Sequence, residues 1–100
     1  MLVQGKTIAV TGAGKGIGRA CVDFFLGQGA NVIALTRSKE DVLSLQREFE
    51  DKSFLVFQGD VTVRKDLATL LDLGCEKFGQ VNGLVNNAGM VHMASILDTS

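Results

Sequence analysis

In the stretch TGAGKGIGRA, residues 11–20, glycines fall at alternate positions: Gly12, Gly14, Gly16 and Gly18, with Lys15 and Arg19 among them. Glycine loses more backbone freedom on ordering than any other residue, so this density at one bend needs a reason. Anion binding supplies one. Where a strand turns into a helix, the helix N-terminus presents N–H groups without intrahelical partners and a partial positive charge. Side chains at the turn would hold a phosphate away from those groups, and glycines let it approach. The spacing is informative. No register gives G-x-G-x-x-G, because counting from Gly12 ends on Ile17 and counting from Gly14 ends on Arg19. The triphosphate-binding loop fails as well, since Lys15 is followed by Gly16 where that loop has Ser or Thr. The pattern that fits is T-G-x-x-x-G-x-G, on Thr11, Gly12, Gly16 and Gly18. A tight turn with close helix–strand packing is the plainer alternative for such a glycine set.

A second group of residues bears on which anion. A dinucleotide site that selects NAD carries an acid at the end of its second strand, where it accepts from the ribose 2′-hydroxyl. The residue at that place is Thr36, and Arg37 follows it. No carboxylate stands there to repel a 2′-phosphate, and a guanidinium offers fixed donors suited to one. Lys15 could reach the same group from the glycine turn. Either cation alone reads as a solvated surface charge. Together with the missing acid, they read as a clamp for the 2′-phosphate of NADP(H).

The elements that must position these residues alternate along the chain. TIAVT (7–11), NVIALT (31–36), SFLVFQ (53–58) and GLVN (83–86) are short, apolar and partly β-branched, as buried strands are. Between the first two, Ile17, Ala20, Cys21, Phe24 and Phe25 recur at helical spacing until Gly29 stops the helix. Ser38 reads as an N-cap with Asp41 three residues on, and Val42, Leu45 and Phe49 share a face. Thr62 reads as the cap of a third helix, with Val63, Leu67, Leu70, Leu71, Cys75 and Phe78 on one side and Gly79 at its end. Strands alternating with helices imply a parallel sheet with helices on its faces. The expected fold is therefore α/β, a doubly wound, Rossmann-like parallel sheet in strand order 3-2-1-4, incomplete on its C-terminal side. The winding reverses between the first and fourth strands, and ligands bind in that crevice beyond the strands' carboxyl ends.

Composition narrows the function. The chain has 100 residues, enough for one domain, and its 46% hydrophobic and 21% charged residues are those of a soluble globular protein. A net charge of -1 argues against a nucleic-acid partner. No run is long and apolar enough for a membrane span, and the N-terminus lacks the pattern of a secretory signal. Cys21 and Cys75 form no C-x-x-C pair, so no metal site is expected, and reduced thiols in the cytoplasm are the natural reading.

With TGAGKGIG at 11–18, Asp60-Val61 after the third strand and NNAG at 86–89 after the fourth, the sequence resembles the N-terminal half of the short-chain dehydrogenase/reductase family. The resemblance covers essentially the whole chain, and ALTRSKE around the second strand looks most like the NADP-dependent carbonyl reductase and L-xylulose reductase branch. It implies cofactor contacts from Gly12, Gly16, Ile17 and Gly18, with Asp60 accepting from the adenine amino group and the Val61 backbone beside it. It further implies that Asn87, Ala88 and Gly89 line the path to the nicotinamide ribose, while Asn86 ties neighbouring strand ends. The simpler role for Asp60 is that of a turn residue before Thr62.

The family's hydride transfer between nicotinamide and a carbonyl or alcohol carbon uses a tyrosine, a lysine four residues later and a serine. This chain contains no tyrosine. No catalytic residue is therefore assigned, and the lone His92 has no identified partner. Residues 1–100 are expected to be the dinucleotide-binding half of a Rossmann-like domain, inactive alone, in an enzyme that is a homo-oligomer when complete and acts on a small carbonyl or alcohol substrate. The alternative is a non-catalytic module that holds nucleotide or pairs with a relative. A methyltransferase would want an acid where Thr36 stands.

Overall fold

Residues 3–50, 52–60 and 62–87 are described by a computed structural model. Within them strands and helices alternate: β1 (Thr7–Thr11), α1 (Gly16–Gly27), β2 (Asn31–Thr36), α2 (Lys39–Glu48), β3 (Phe54–Gln58), α3 (Arg64–Phe78) and β4 (Gly83–Asn86). All strand pairings are parallel, and the order is β3-β2-β1-β4. This is the expected doubly wound sheet.

Parallel strands covered on both faces need continuous apolar runs. β1 is buried at every position, and β2 at all but Asn31. Alternate residues then serve two cores. Ile8, Val10, Val32, Ala34 and Val85 pack with Val22 and Phe25 of α1 and Leu45 of α2. Ala9, Ile33 and Leu35 pack with Leu70 of α3, joined by the half-buried Leu55, Leu67, Leu71 and Leu84. Each fully buried aliphatic side chain of this kind contributes about 1.5–3 kcal/mol. Gly74 lets α3 lie close to the sheet, since a Cβ there would stand 2.7 Å from Val81 Cγ2 and collide with Ile33 Cδ1.

The helix ends follow local chemistry. α1 closes in a Schellman motif: the Gly29 N–H donates to the Leu26 carbonyl and the Ala30 N–H to that of Phe25, with Gly29 at φ 85°. Ser38 Oγ accepts from the Asp41 N–H at 3.2 Å, as its cap role requires. Gly79, at φ 86°, ends α3.

Three sequence expectations need correction. α1 does not bury Ile17 and Phe24; it buries Gly18, Val22 and Phe25, and Ile17 is 73% exposed. Its buried side includes Gly18, where the absence of a side chain lets the helix backbone lie against the Gly12 carbonyl in the turn after β1. α3 starts at Arg64 with Val63 as its N-cap residue and no side-chain cap, so Thr62 is not the cap. Thr62 is drawn instead to Asp60. Val63 and Cys75 are exposed, off the buried face of α3. None of the described helices is long and apolar enough to cross a membrane.

Candidate functional site

The glycine turn leaves the carboxyl end of β1, at the sheet position where the connections diverge to β2 on one side and β4 on the other. It stays tied to β2 for one more step, because the Ala13 N–H donates to the Leu35 carbonyl at 3.1 Å. Gly12 and Gly16 have φ of 62° and 58°, a left-handed backbone that side chains disfavour. A Cβ on Gly16 would meet nothing within 4 Å, so no neighbour crowds the turn at that position. Gly18 has the opposite constraint: a Cβ there would collide with the Gly12 carbonyl oxygen and stand 2.9 Å from Asn87 Nδ2. Gly12 and Gly16 thus shape the turn, and Gly18 seats the helix against it. Lys15 is the N-cap residue of α1 and is exposed, and Ile17 projects from the first turn.

The carboxyl ends of β1 and β4 are joined by a hydroxyl. Thr11 Oγ1 donates to Asn86 Oδ1 at 2.9 Å and accepts from the Asn87 N–H at 3.0 Å. Asn87 is thereby delivered beside Gly18, on the β4 flank of the turn. The signal for Thr11 was present in the T-G-x-x-x-G-x-G pattern, but its cross-strand bonds come from tertiary pairing.

On the other flank, β1 and β2 run in register, Thr11 beside Leu35. Neighbouring strands lie about 4.8 Å apart. Arg37 therefore leaves the end of β2 next to the strand whose following turn carries Lys15. Thr36 is buried, and its carbonyl accepts from the Gly59 N–H at 2.9 Å. Arg37 is 78% exposed, with its Nε 3.7 Å from Asp60 Oδ2. Asp60 is fixed in an Asx turn, its Oδ1 accepting from both the Thr62 N–H (2.9 Å) and the Thr62 hydroxyl (2.8 Å). The Asp60 N–H donates to Asp66 Oδ2 at 2.9 Å. Those two bonds from Thr62, main chain first, hold the Asp60 carboxyl below its ordinary value, with a smaller contribution from Arg37 and a partial offset from burial. Asp60 is therefore both a turn residue and a persistent anion beside Arg37.

The structure thus gathers Gly12, Lys15, Gly16, Ile17, Gly18, Thr36, Arg37, Asp60 and Asn87 at the carboxyl edge of the sheet. Val61, Ala88, Gly89 and His92 lie outside the described residues. Sequence reasoning missed Arg19, which bonds the turn to α2, and Asp41, which packs against Gly14. Arg19 was visible among the glycines, but nothing local shows that its partners lie 25 and 29 residues away.

Comparison with known proteins gives a consistent picture. The family described as short chain dehydrogenase matches residues 6–100. The chain is 38% identical over 86 residues to L-fucose dehydrogenase of Mus musculus, covering 86% of this chain and 31% of that protein. It is 36% identical over 99 residues to the 3-oxoacyl-[acyl-carrier-protein] reductase FabG of Thermotoga maritima, covering 97% and 40%. Among solved structures, the apo form of glucose dehydrogenase from Caenorhabditis elegans superposes with a TM-score of 0.81 at 28% identity, over 91% of this chain and 40% of that one. The chain therefore spans 31–40% of the length of these relatives.

Proposed function

The chain belongs to the short chain dehydrogenase family, and from that premise we propose that it binds NADP(H) for an oxidoreductase acting on a carbonyl or alcohol carbon. Residues 1–100 are read as the dinucleotide-binding half of such an enzyme. The observation that carries the coenzyme choice is the end of β2, where a buried Thr36 stands in place of an acid and the exposed Arg37 reaches toward Asp60.

The residues fit the group. Gly12 and Gly16 give the turn its left-handed backbone, Gly16 adds no side chain before α1, and Gly18 lets the helix sit close to the turn, so that a pyrophosphate would meet the helix N-terminus. Arg37 and Lys15 would take the 2′-phosphate. The Arg37–Asp60 pair does not preclude this: at 3.7 Å and largely exposed, it is screened by water and holds the guanidinium weakly. A phosphate offers more acceptor charge in a geometry matched to the guanidinium fork. Asp60, kept ionised and oriented by Thr62, would accept from the adenine amino group. Asn87 lies on the β4 flank, where the nicotinamide ribose would pass, with Val61, Ala88 and Gly89 assigned by family pattern alone. The bound coenzyme supplies hydride chemistry. The chain's own residues bind and orient it, and none of them is assigned the proton transfer, because the sequence has no tyrosine.

The substrate class is read as a small carbonyl compound or sugar, in keeping with relatives named for L-fucose and L-rhamnose. Unpaired Cys21 and Cys75 suit a reducing cytoplasm, and a homo-oligomeric enzyme is the expected setting. Titration of NADPH and NADH against wild type and Thr36→Asp/Arg37→Ala tests the coenzyme reading. Wild type is expected to favour NADPH, and the double variant to shift toward NADH. An unchanged NADPH preference in the double variant would defeat the assignment.

A further inference from the structure

Arg19 stands one residue past the glycine cradle and has no part in the coenzyme contacts assigned above. All three of its guanidinium nitrogens nonetheless donate. Nη1 donates to the Gly14 carbonyl at 2.9 Å. Nη2 donates to Ser44 Oγ at 2.8 Å and to Glu48 Oε1 at 2.7 Å, and Nε donates to the same Glu48 oxygen at 2.9 Å. The first acceptor is in the turn. The other two lie four residues apart on α2, hence on one face of that helix. A second contact reinforces the attachment: Gly14 packs directly on Asp41, in the first turn of α2, where a Cβ would stand 2.7 Å from the Asp41 Cγ. α2 is thus fastened to the outside of the turn near its start and again near its end.

The consequence lies at the N-terminus of α2. The helix begins at Lys39, immediately after Arg37 and the capping Ser38. Wherever α2 is held, Arg37 is launched from a fixed point beside the turn that carries Lys15. The Gly14 bond acts on the turn itself. In a planar trans peptide the carbonyl and the next N–H point in opposite directions. Drawing the Gly14 oxygen toward Arg19 therefore aims the Lys15 N–H to the opposite side of the turn. Arginine suits this task because its fork serves several acceptors without rearranging. The Arg19 side chain is 25% exposed against 78% for Arg37, so the Arg19 guanidinium is the more sheltered of the two, although its partner Glu48 is itself half exposed.

We propose that Arg19 is a positioning residue that holds α2, and with it Arg37, in register with the glycine turn, and so sets the preference for a 2′-phosphorylated coenzyme without touching it. This rests on the reading of Arg37 as the phosphate partner.

The test is isothermal titration of NADPH and NADH against wild type, Arg19→Leu and Glu48→Gln, with each variant's melting temperature recorded. Arg19→Leu is expected to weaken NADPH about tenfold and NADH no more than about twofold, a coupling in the usual range between linked sites. Glu48→Gln keeps the Gly14 bond and loosens only the link to α2, so about a threefold loss of the preference is expected, and it serves also if Arg19→Leu does not fold. A role in stability alone would lower melting temperatures and leave the NADPH-to-NADH ratio at its wild-type value in the folded variants, and that result overturns the inference. Wild type binding neither coenzyme, or favouring NADH, would instead overturn the underlying coenzyme reading, and this inference with it.

Discussion

Replacing Gly18 with alanine adds one methyl group where α1 lies against the glycine turn. The new Cβ would collide with the Gly12 carbonyl oxygen, stand 2.8 Å from the Gly12 carbonyl carbon and 2.9 Å from Asn87 Nδ2. Two of these three atoms are backbone in a turn pinned to β2 through Ala13, so they cannot rotate aside. Overpacking costs about 1–3 kcal/mol, and a collision with backbone belongs at the upper end. Alanine gives back about 0.5–1 kcal/mol of helix propensity. The expected net effect is a loss of about 2 kcal/mol, a large share of the roughly 5–15 kcal/mol that holds a domain together. For a chain of this size that corresponds to a melting temperature lower by about 8–16 °C. The assay is thermal unfolding followed by circular dichroism, with Gly27→Ala as control. That residue is in the same helix, and a Cβ there meets nothing within 4 Å. The control is expected to be neutral or more stable by up to about 1 kcal/mol. If Gly18→Ala melts with wild type or above it, the close approach of α1 to the turn is not what Gly18 is for.

The remaining predictions concern the α2 cap and Asp60. Ser38→Ala removes the acceptor of the Asp41 N–H and should cost about 1 kcal/mol in urea unfolding, and an unchanged midpoint would show that the cap carries no stability. Asp60, its proton affinity lowered by the Thr62 bonds, should titrate below the ordinary aspartate value when followed by side-chain carboxyl NMR. With the folded-state value depressed, its stabilising contribution is present above the unfolded-state value and is lost as pH falls through the folded-state value. Thr62→Val should raise the Asp60 value only partway, since the larger contribution comes from the main-chain N–H that valine retains; a full return to the ordinary value would contradict this.

The elements were legible because their signals are local. TIAVT and NVIALT are strands by length and branching alone, and both were placed to the residue. Gly29 and Gly79 mark helix ends because the left-handed conformation there excludes most other residues. The misreadings arose where two local options were equivalent. In α1, Ile17 and Phe24 have the apolar character of a buried face, yet Gly18, Val22 and Phe25 are buried, and a side chain at Gly18 would not fit against the Gly12 backbone. Thr62 has the chemistry of a helix cap and of an Asx-turn donor, and the carboxylate of Asp60 two residues earlier won it.

The site divides in the same way. Residue types and spacing in the sequence were enough to mark the glycine turn, Thr36 and Arg37 as candidates, since each is defined relative to the end of its own strand. The tertiary structure alone decided what those segments meet. Thr11 finds Asn86 and Asn87 only because β4 pairs with β1, and Arg19 finds Ser44 and Glu48 only because α1 and α2 share a face of the sheet. The physical reason is range. Strand and helix propensities act over a few neighbours, whereas a hydrogen bond between distant residues forms only after the sheet order has brought them together.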